Sequence, residues 1–159
     1  QSGLDEISNL QTKMLINAGS CADAGLLDEL GVDAAVELAL KNLTERIEIF
    51  GLQEAYDESL ILFAEQFGWG LPVYVKKNVK SAHQRLTFTS EDLQQIEALN
   101  QADLNLYSAA KRIFNEKYQL NESQKKRLRL QGRLNQYIMP TFEFFRQLPR
   151  TAAKRILGR

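Results

Sequence analysis

The chain has 159 residues, 44% of them hydrophobic, with one cysteine, one histidine and a formal net charge of zero. That length can bury one core, its apolar runs are too short to cross a bilayer, the lone Cys21 excludes an internal disulfide, and the two soft ligands are too few for a transition-metal site. The zero conceals a segregation, since residues 1–72 hold 13 acids and 3 bases while residues 73–159 hold 7 acids and 17 bases; either an anionic ligand or surface meets the second half, or the two halves simply attract each other.

In chain order, Leu4 to Ile16 reads as a helical segment, and Gly19 to Gly31 as a loop with a helical turn around Leu26 to Leu30. Asp33 is expected to cap a helix running to about Arg46, with Val36, Leu40 and Leu43 on one side. Ile47, Ile49 and Phe50 are β-branched or aromatic and precede Gly51, which predicts a short strand closed by a turn. Asp57 and Glu58 then place negative charge at a helix start, Leu60, Phe63, Ala64 and Phe67 recur at spacings of three and four, and Gly68 ends the helix. A strand feeding a helix is the connection on which α/β enzymes mount their ligand sites. Pro72 to Val75 predicts a second brief strand, followed by a basic loop from Lys76 to Phe88. Thr89 caps the next helix in a box with Asp92, turning Leu93, Ile96 and Leu99 inward, and a further helix carries Leu104, Tyr107, Phe114 and Tyr118. Tyr56, Phe63, Phe67 and Trp69 are read as core.

Four segments, in order, carry a resemblance. The run FGLQEAYDESLILFAEQFGW, Phe50 to Trp69, is similar to a G-L-T-E-R-F-D-E-S-L segment followed by a short helix and G-W. Asn9-Leu10-Gln11-Thr12-Lys13-Met14-Leu15 resembles N-L-Q-T-R-x-L, Ala39-Leu40-Lys41-Asn42-Leu43 resembles A-K-x-N-L, and Asp103-Leu104-Asn105-Leu106-Tyr107 resembles D-x-x-L-Y. These are segments of the carbohydrate sulfotransferase family that includes the heparan sulfate 2-O-sulfotransferases and bacterial relatives. The resemblance covers roughly Asn9 to Phe114, and four ordered matches are more specific than any one.

The resemblance implies a sulfuryl transfer from 3′-phosphoadenosine 5′-phosphosulfate to a hydroxyl, in the first place that of a carbohydrate, without a metal. Enzymes of this kind hold the 5′-phosphosulfate on a lysine-bearing loop and the 3′-phosphate with an arginine and a serine on a segment beginning R-D-P. Neither the G-x-x-x-x-G-K-S or P-K-x-G-[ST] loop nor an Arg-Asp-Pro occurs, and the chain begins with Gln1 rather than methionine. It is therefore expected to be the C-terminal piece of a longer protein, with the catalytic base and main phosphate clamp upstream and no catalytic residue of its own.

Within the basic loop, Lys77, Ser81 and Arg85 are the candidates for the donor's 3′-phosphate, because the family's equivalent loop closes over the nucleotide and charge-assisted hydrogen bonds orient a phosphate. The arginine-proline that often follows the loop's asparagine is absent, and His83-Gln84-Arg85-Leu86 stands there instead. A solvated surface loop is the alternative. Gln11 and Lys13 are candidates for acceptor binding by the same analogy, against an ordinary place on a helix surface. His83, among neighbouring cations and without an orienting carboxylate nearby in sequence, is read as surface rather than a general base. Glu54 is read as a structural carboxylate at the helix start.

From Glu122 to Arg159 the composition turns basic, with Lys125, Lys126, Arg127, Arg129 and Arg133, then Phe142, Phe144 and Phe145, then Lys154, Arg155 and Arg159. Such a tail suits nucleic acid, an anionic membrane surface or a sulfated glycan, or packs its Leu128, Leu130 and Leu134 side on the domain and leaves its charges in water. The fold expected is α/β: the C-terminal, mostly helical part of a P-loop-like sulfotransferase domain with short strands over residues 1–120, then a basic helical extension over 121–159. The partner expected is a carbohydrate or other hydroxyl acceptor, not nucleic acid, and any membrane association would run through the missing N-terminus or the basic tail. The compartment, cytoplasmic if bacterial and Golgi membrane if eukaryotic, and the oligomeric state stay open. Two other readings compete: a non-enzymatic helical interaction module whose basic tail binds nucleic acid or an anionic membrane, and another phosphoryl-transferring enzyme such as a nucleotide kinase.

Overall fold

The structure is a computed structural model that describes residues 8–17, 25–75 and 88–138. Every regular element among them is a helix: α1 Leu10–Ile16, α2 Leu26–Leu30, α3 Val32–Glu45, α4 Tyr56–Gln66, α5 Ser90–Leu99, α6 Gln101–Lys117 and α7 Glu122–Arg133, which runs into a π-helical turn at Leu134–Ile138. The chain divides into two compact units, residues 1–52 with 85–119, and residues 53–84 with 120–159.

In the first unit α1, α2, α3 and α6 pack together around Ile16, Leu27, Ala35, Val36, Ala39, Ala102 and Leu106. The sequence of α3, VDAAVELALKNLTE, is rich in strong helix formers, and its Ala35 and Ala39 are fully buried together with Ala102 of α6. Side chains this small let two helices come close and exclude water from the seam. Phe50, Phe114 and Tyr118 form a second cluster, with Phe50 tilted on Phe114 at 6.1 Å and edge-on to Tyr118 at 5.5 Å. In the second unit α4 packs against α7 and buries Ser59, Ile61, Leu62 and Ala64.

The α/β expectation is overturned, because neither predicted strand forms among the described residues. A strand exists only when a neighbour accepts and donates its backbone hydrogen bonds, and β-branched composition supplies no neighbour. Ile47 to Gly51 is irregular, its Phe50 held by the aromatic cluster. Pro72 to Val75 is also irregular, and side chains satisfy it: Gln131 Nε2 donates to the Pro72 carbonyl at 2.7 Å, and the Tyr74 N–H donates to Asn135 Oδ1 at 2.8 Å.

Several predicted details are kept and others shift. The box at α5 is present, with Asp92 N–H donating to Thr89 Oγ1 and Thr89 N–H donating to Asp92 Oδ2. Gly68 has φ 64°, and the Trp69 N–H closes on the Ala64 carbonyl at 2.8 Å, so glycine supplies the left-handed residue that ends α4. The start of α3 is Gly31 rather than Asp33, which lies in the first turn. Leu93, Ile96 and Leu99 are exposed, and α6 buries Ala102, Leu106, Ala110 and Phe114 while Leu104 and Tyr107 are exposed. Sequence periodicity finds a face but large apolar residues bias its choice; here the alanines mark the packed side. Tyr56, Phe67 and Trp69 are likewise outside the core, each half exposed. They stack on one another instead: Phe67 lies 5.2 Å from Trp69 and 6.4 Å from Phe63, and Tyr56 meets Tyr74 edge-on at 5.4 Å.

Candidate functional site

Three of the four segments that carry the resemblance, those around Asn9, Asn42 and Asp103, meet through polar residues in the first unit. Asn9 takes the left-handed conformation, φ 48°, which asparagine tolerates better than most side chains. There its Oδ1 accepts from the N–H groups of Ala102 and Asp103, at 2.9 and 3.1 Å, and so caps the start of α6. Asp103 returns the favour: its carboxylate accepts from the N–H groups of Gln11 and Thr12, at 3.1 and 2.8 Å, and from the Thr12 hydroxyl at 2.7 Å. Two helix starts more than 90 residues apart thus cap each other. Each free helix start would leave orphan N–H groups and a positive end, which a carboxylate satisfies best.

Two more asparagines complete the frame. Asn9 Nδ2 donates to the Leu99 carbonyl at 2.9 Å and the Asn9 N–H donates to Asn100 Oδ1 at 3.1 Å, locking the corner between α5 and α6. Asn42, buried on α3, donates through Nδ2 to the Leu15 carbonyl at 2.8 Å, near the end of α1. The helix α1 is therefore held at both ends by side chains from other helices.

Gln11 and Lys13, the acceptor candidates, stand on this pinned helix. Gln11 is exposed and Lys13 half-buried, while Thr12 and Ile16 turn into the core. The donor candidates Lys77, Ser81 and Arg85, with His83, lie outside the described residues, so the described residues do not bring the two sets together.

The approach to that basic stretch is pinned in the second unit. Besides the bonds to Asn135 and Gln131, the Tyr74 hydroxyl donates to Asp57 Oδ1 at 2.7 Å. Desolvation, then the hydrogen bond and charge of Asp57, push the Tyr74 phenol up to about 12, so it is a neutral donor throughout the physiological range. Gln131 is fully buried and its Oε1 has no hydrogen-bond partner among the described residues. The sequence reading passed over Tyr74, Asp57, Gln131 and Asn135 as site-framing residues; a buried glutamine in a charged helix gives no periodic signal.

Electrostatics restrict where an anion could bind. The starts of α1, α5, α6 and α7 are already occupied by Asp103, Thr89 with Asp92, Asn9, and Asn121 with Gln124. The start of α4 carries Asp57 and Glu58, which repel an anion. The starts of α2 and α3, at Gly25 and Gly31, have no side-chain cap and carry Asp28 with Glu29, and Asp33, in their first turns. Among the described residues no three His, Cys, Asp or Glu side chains gather as a metal set, and no helix is long and apolar enough to cross a membrane.

No family model matches the chain, and no curated protein or solved structure is significantly similar to it.

Proposed function

We propose that this chain contributes the acceptor side and part of the donor clamp of a sulfotransferase, which moves a sulfuryl group from 3′-phosphoadenosine 5′-phosphosulfate to a carbohydrate hydroxyl. One observation carries the reading. Each of the four segments quoted for the resemblance donates a polar residue to a tertiary hydrogen bond: Asn9 and Thr12, Asn42, Asp57 and Asp103. The matched segments thus supply polar residues that fix tertiary structure, Asn9, Thr12, Asn42 and Asp103 in the first unit and Asp57 in the second.

In the proposed reaction the acceptor hydroxyl attacks sulfur in line, the bond from sulfur to the phosphate oxygen breaks, and the nucleotide leaves as 3′-phosphoadenosine 5′-phosphate. The proton passes to a general base. The transferring group is anionic, so cations and oriented N–H groups stabilise the transition state. Lys77 and Arg85 with the Ser81 hydroxyl would grip the 3′-phosphate, and Gln11 and Lys13 would face the acceptor. The lysine-bearing loop for the 5′-phosphosulfate is absent from this sequence and has to come from other residues of the enzyme.

The test uses the complete gene product with radiolabelled sulfate donor and, in parallel, labelled ATP, against a panel of glycans. Label transfer from the sulfate donor alone supports the reading, and transfer from ATP alone or from neither overturns it. Arg85→Ala and Lys77→Ala should weaken calorimetric binding of 3′-phosphoadenosine 5′-phosphate by about tenfold or more, the worth of a charge-assisted bond. Unchanged binding would remove both from the clamp.

A further inference from the structure

The helix α7 has a solvent face that the sulfotransferase reading does not use. Gln124, Leu128, Gln131 and Asn135 turn toward the rest of their unit, where Gln131 is fully buried, Gln124 Nε2 donates to Glu65 at 2.6 Å and Asn135 accepts from Tyr74. On the opposite side Lys126, Arg129 and Arg133 are exposed and fall at steps of three and four, a row about 10 Å long at the helical rise. Lys125 flanks the row, joined to Glu122 at 2.8 Å. Along its other edge stand Leu130, 51% exposed, and Ile138, 56% exposed, and Tyr137, 66% exposed, continues the row itself. The π-helical turn keeps these last residues on the same side, since its wider winding offsets the drift of an α-helix.

We propose that this face is a peripheral docking surface for an anionic phospholipid membrane, with α7 lying along the headgroup layer. Its charge is complementary to such a surface: residues 122–138 hold five bases and one acid. The apolar residues choose among polyanions. A sulfated glycan uses the bases but offers nothing to Leu130 and Ile138, and single-stranded nucleic acid would stack on Tyr137 but leave both aliphatic side chains unused. A bilayer surface takes both, aliphatic side chains reaching the acyl boundary and bases meeting anionic headgroups. This inference stands independently of the sulfotransferase reading.

Co-sedimentation of the complete gene product with vesicles tests it, comparing phosphatidylcholine alone with phosphatidylcholine and phosphatidylserine at roughly 7 to 3. Binding is expected only to the anionic vesicles and should fall as salt rises. Replacing Lys126, Arg129 and Arg133 together by Gln should lower the partition coefficient about 100-fold, roughly fivefold per base. Leu130→Ser with Ile138→Ser, which leaves every charge in place, should lower it about tenfold. Circular dichroism of each variant, matching wild type, establishes that the helices are retained. No binding to anionic vesicles, binding unaffected by the serine pair, or tighter capture by heparin or RNA than by vesicles would overturn the proposal.

Discussion

The two units satisfy their polar groups in opposite ways. In the first, side chains cap helix ends across long sequence separations, so Asn9 and Asp103 each serve the other's helix. In the second, α7 and the turn after it spend Gln131 and Asn135 on an extended segment, and the aromatic residues beside it stay half exposed. A helix start needs acceptors that a single carboxylate or amide can give, whereas an extended segment needs a partner along its length. Where no neighbouring strand is present, side chains from a helix take its place, at two points rather than continuously.

Breaking the reciprocal cap should produce the largest effect. Asp103→Ala removes the acceptor of three donors, one of them the hydroxyl of fully buried Thr12, and should cost about 3 kcal/mol in urea unfolding. Hydrogen exchange should quicken first in α1, and protection left intact there would refute the capping role. Asp103→Asn keeps an acceptor without the charge and should lose about half as much.

Gln131→Ala tests the second unit in the same way. It withdraws the donor from the Pro72 carbonyl and opens a small void, at about 2 kcal/mol. Exchange should rise at Tyr74 and in α4, leaving α1 protected. A loss confined to α1 instead would show that the two units are not separate in stability.

Tyr74→Phe should be milder, about 1 kcal/mol, since it deletes only the hydroxyl bond to Asp57. Its signature is in pH. The folded-state pKa of Tyr74 is raised, so its contribution is complete below about 10 and is lost as pH climbs toward about 12. Wild type should lose stability over that window relative to the phenylalanine variant, and parallel curves would contradict the raised value.

The smallest change is expected from Asn121→Ala, which removes an exposed cap from α7 at about 1 kcal/mol or less. Fraying should stay within the first turn of that helix. At α5 the equivalent box holds the Asp92 carboxyl below its ordinary value through the Thr89 hydrogen bonds, so its stabilisation is present above the ordinary carboxylate range and fades in acid. A two-dimensional titration of Asp92 in Thr89→Ala should show that value rise.

Local rules were readable without coordinates. Thr89 with Asp92 announced a helix start, Gly68 a stop, and Leu26 to Leu30 a short turn, because capping and glycine act within a few residues. Faces were read less well. Ala64 and Phe114 lie inside as the periodicity has it, but Ser59, Ile61 and Leu62 of α4 and Ala102, Leu106 and Ala110 of α6 are buried as well, since tight packing rewards small side chains as well as large ones. The donor candidates Lys77, Ser81 and Arg85 lie outside the described residues, so of the candidate site only the pinned helix under Gln11 and Lys13 is in view.

The sequence by itself determined the capping box of α5, the glycine that ends α4 and the charge segregation, which depend on neighbours in the chain or on composition alone. Only the tertiary structure decided that Ile47 to Phe50 and Pro72 to Val75 are not strands, and that Asn9 and Asp103 cap each other. Both outcomes depend on which groups arrive from far along the chain, and a backbone hydrogen bond is indifferent to whether a strand or a side chain completes it.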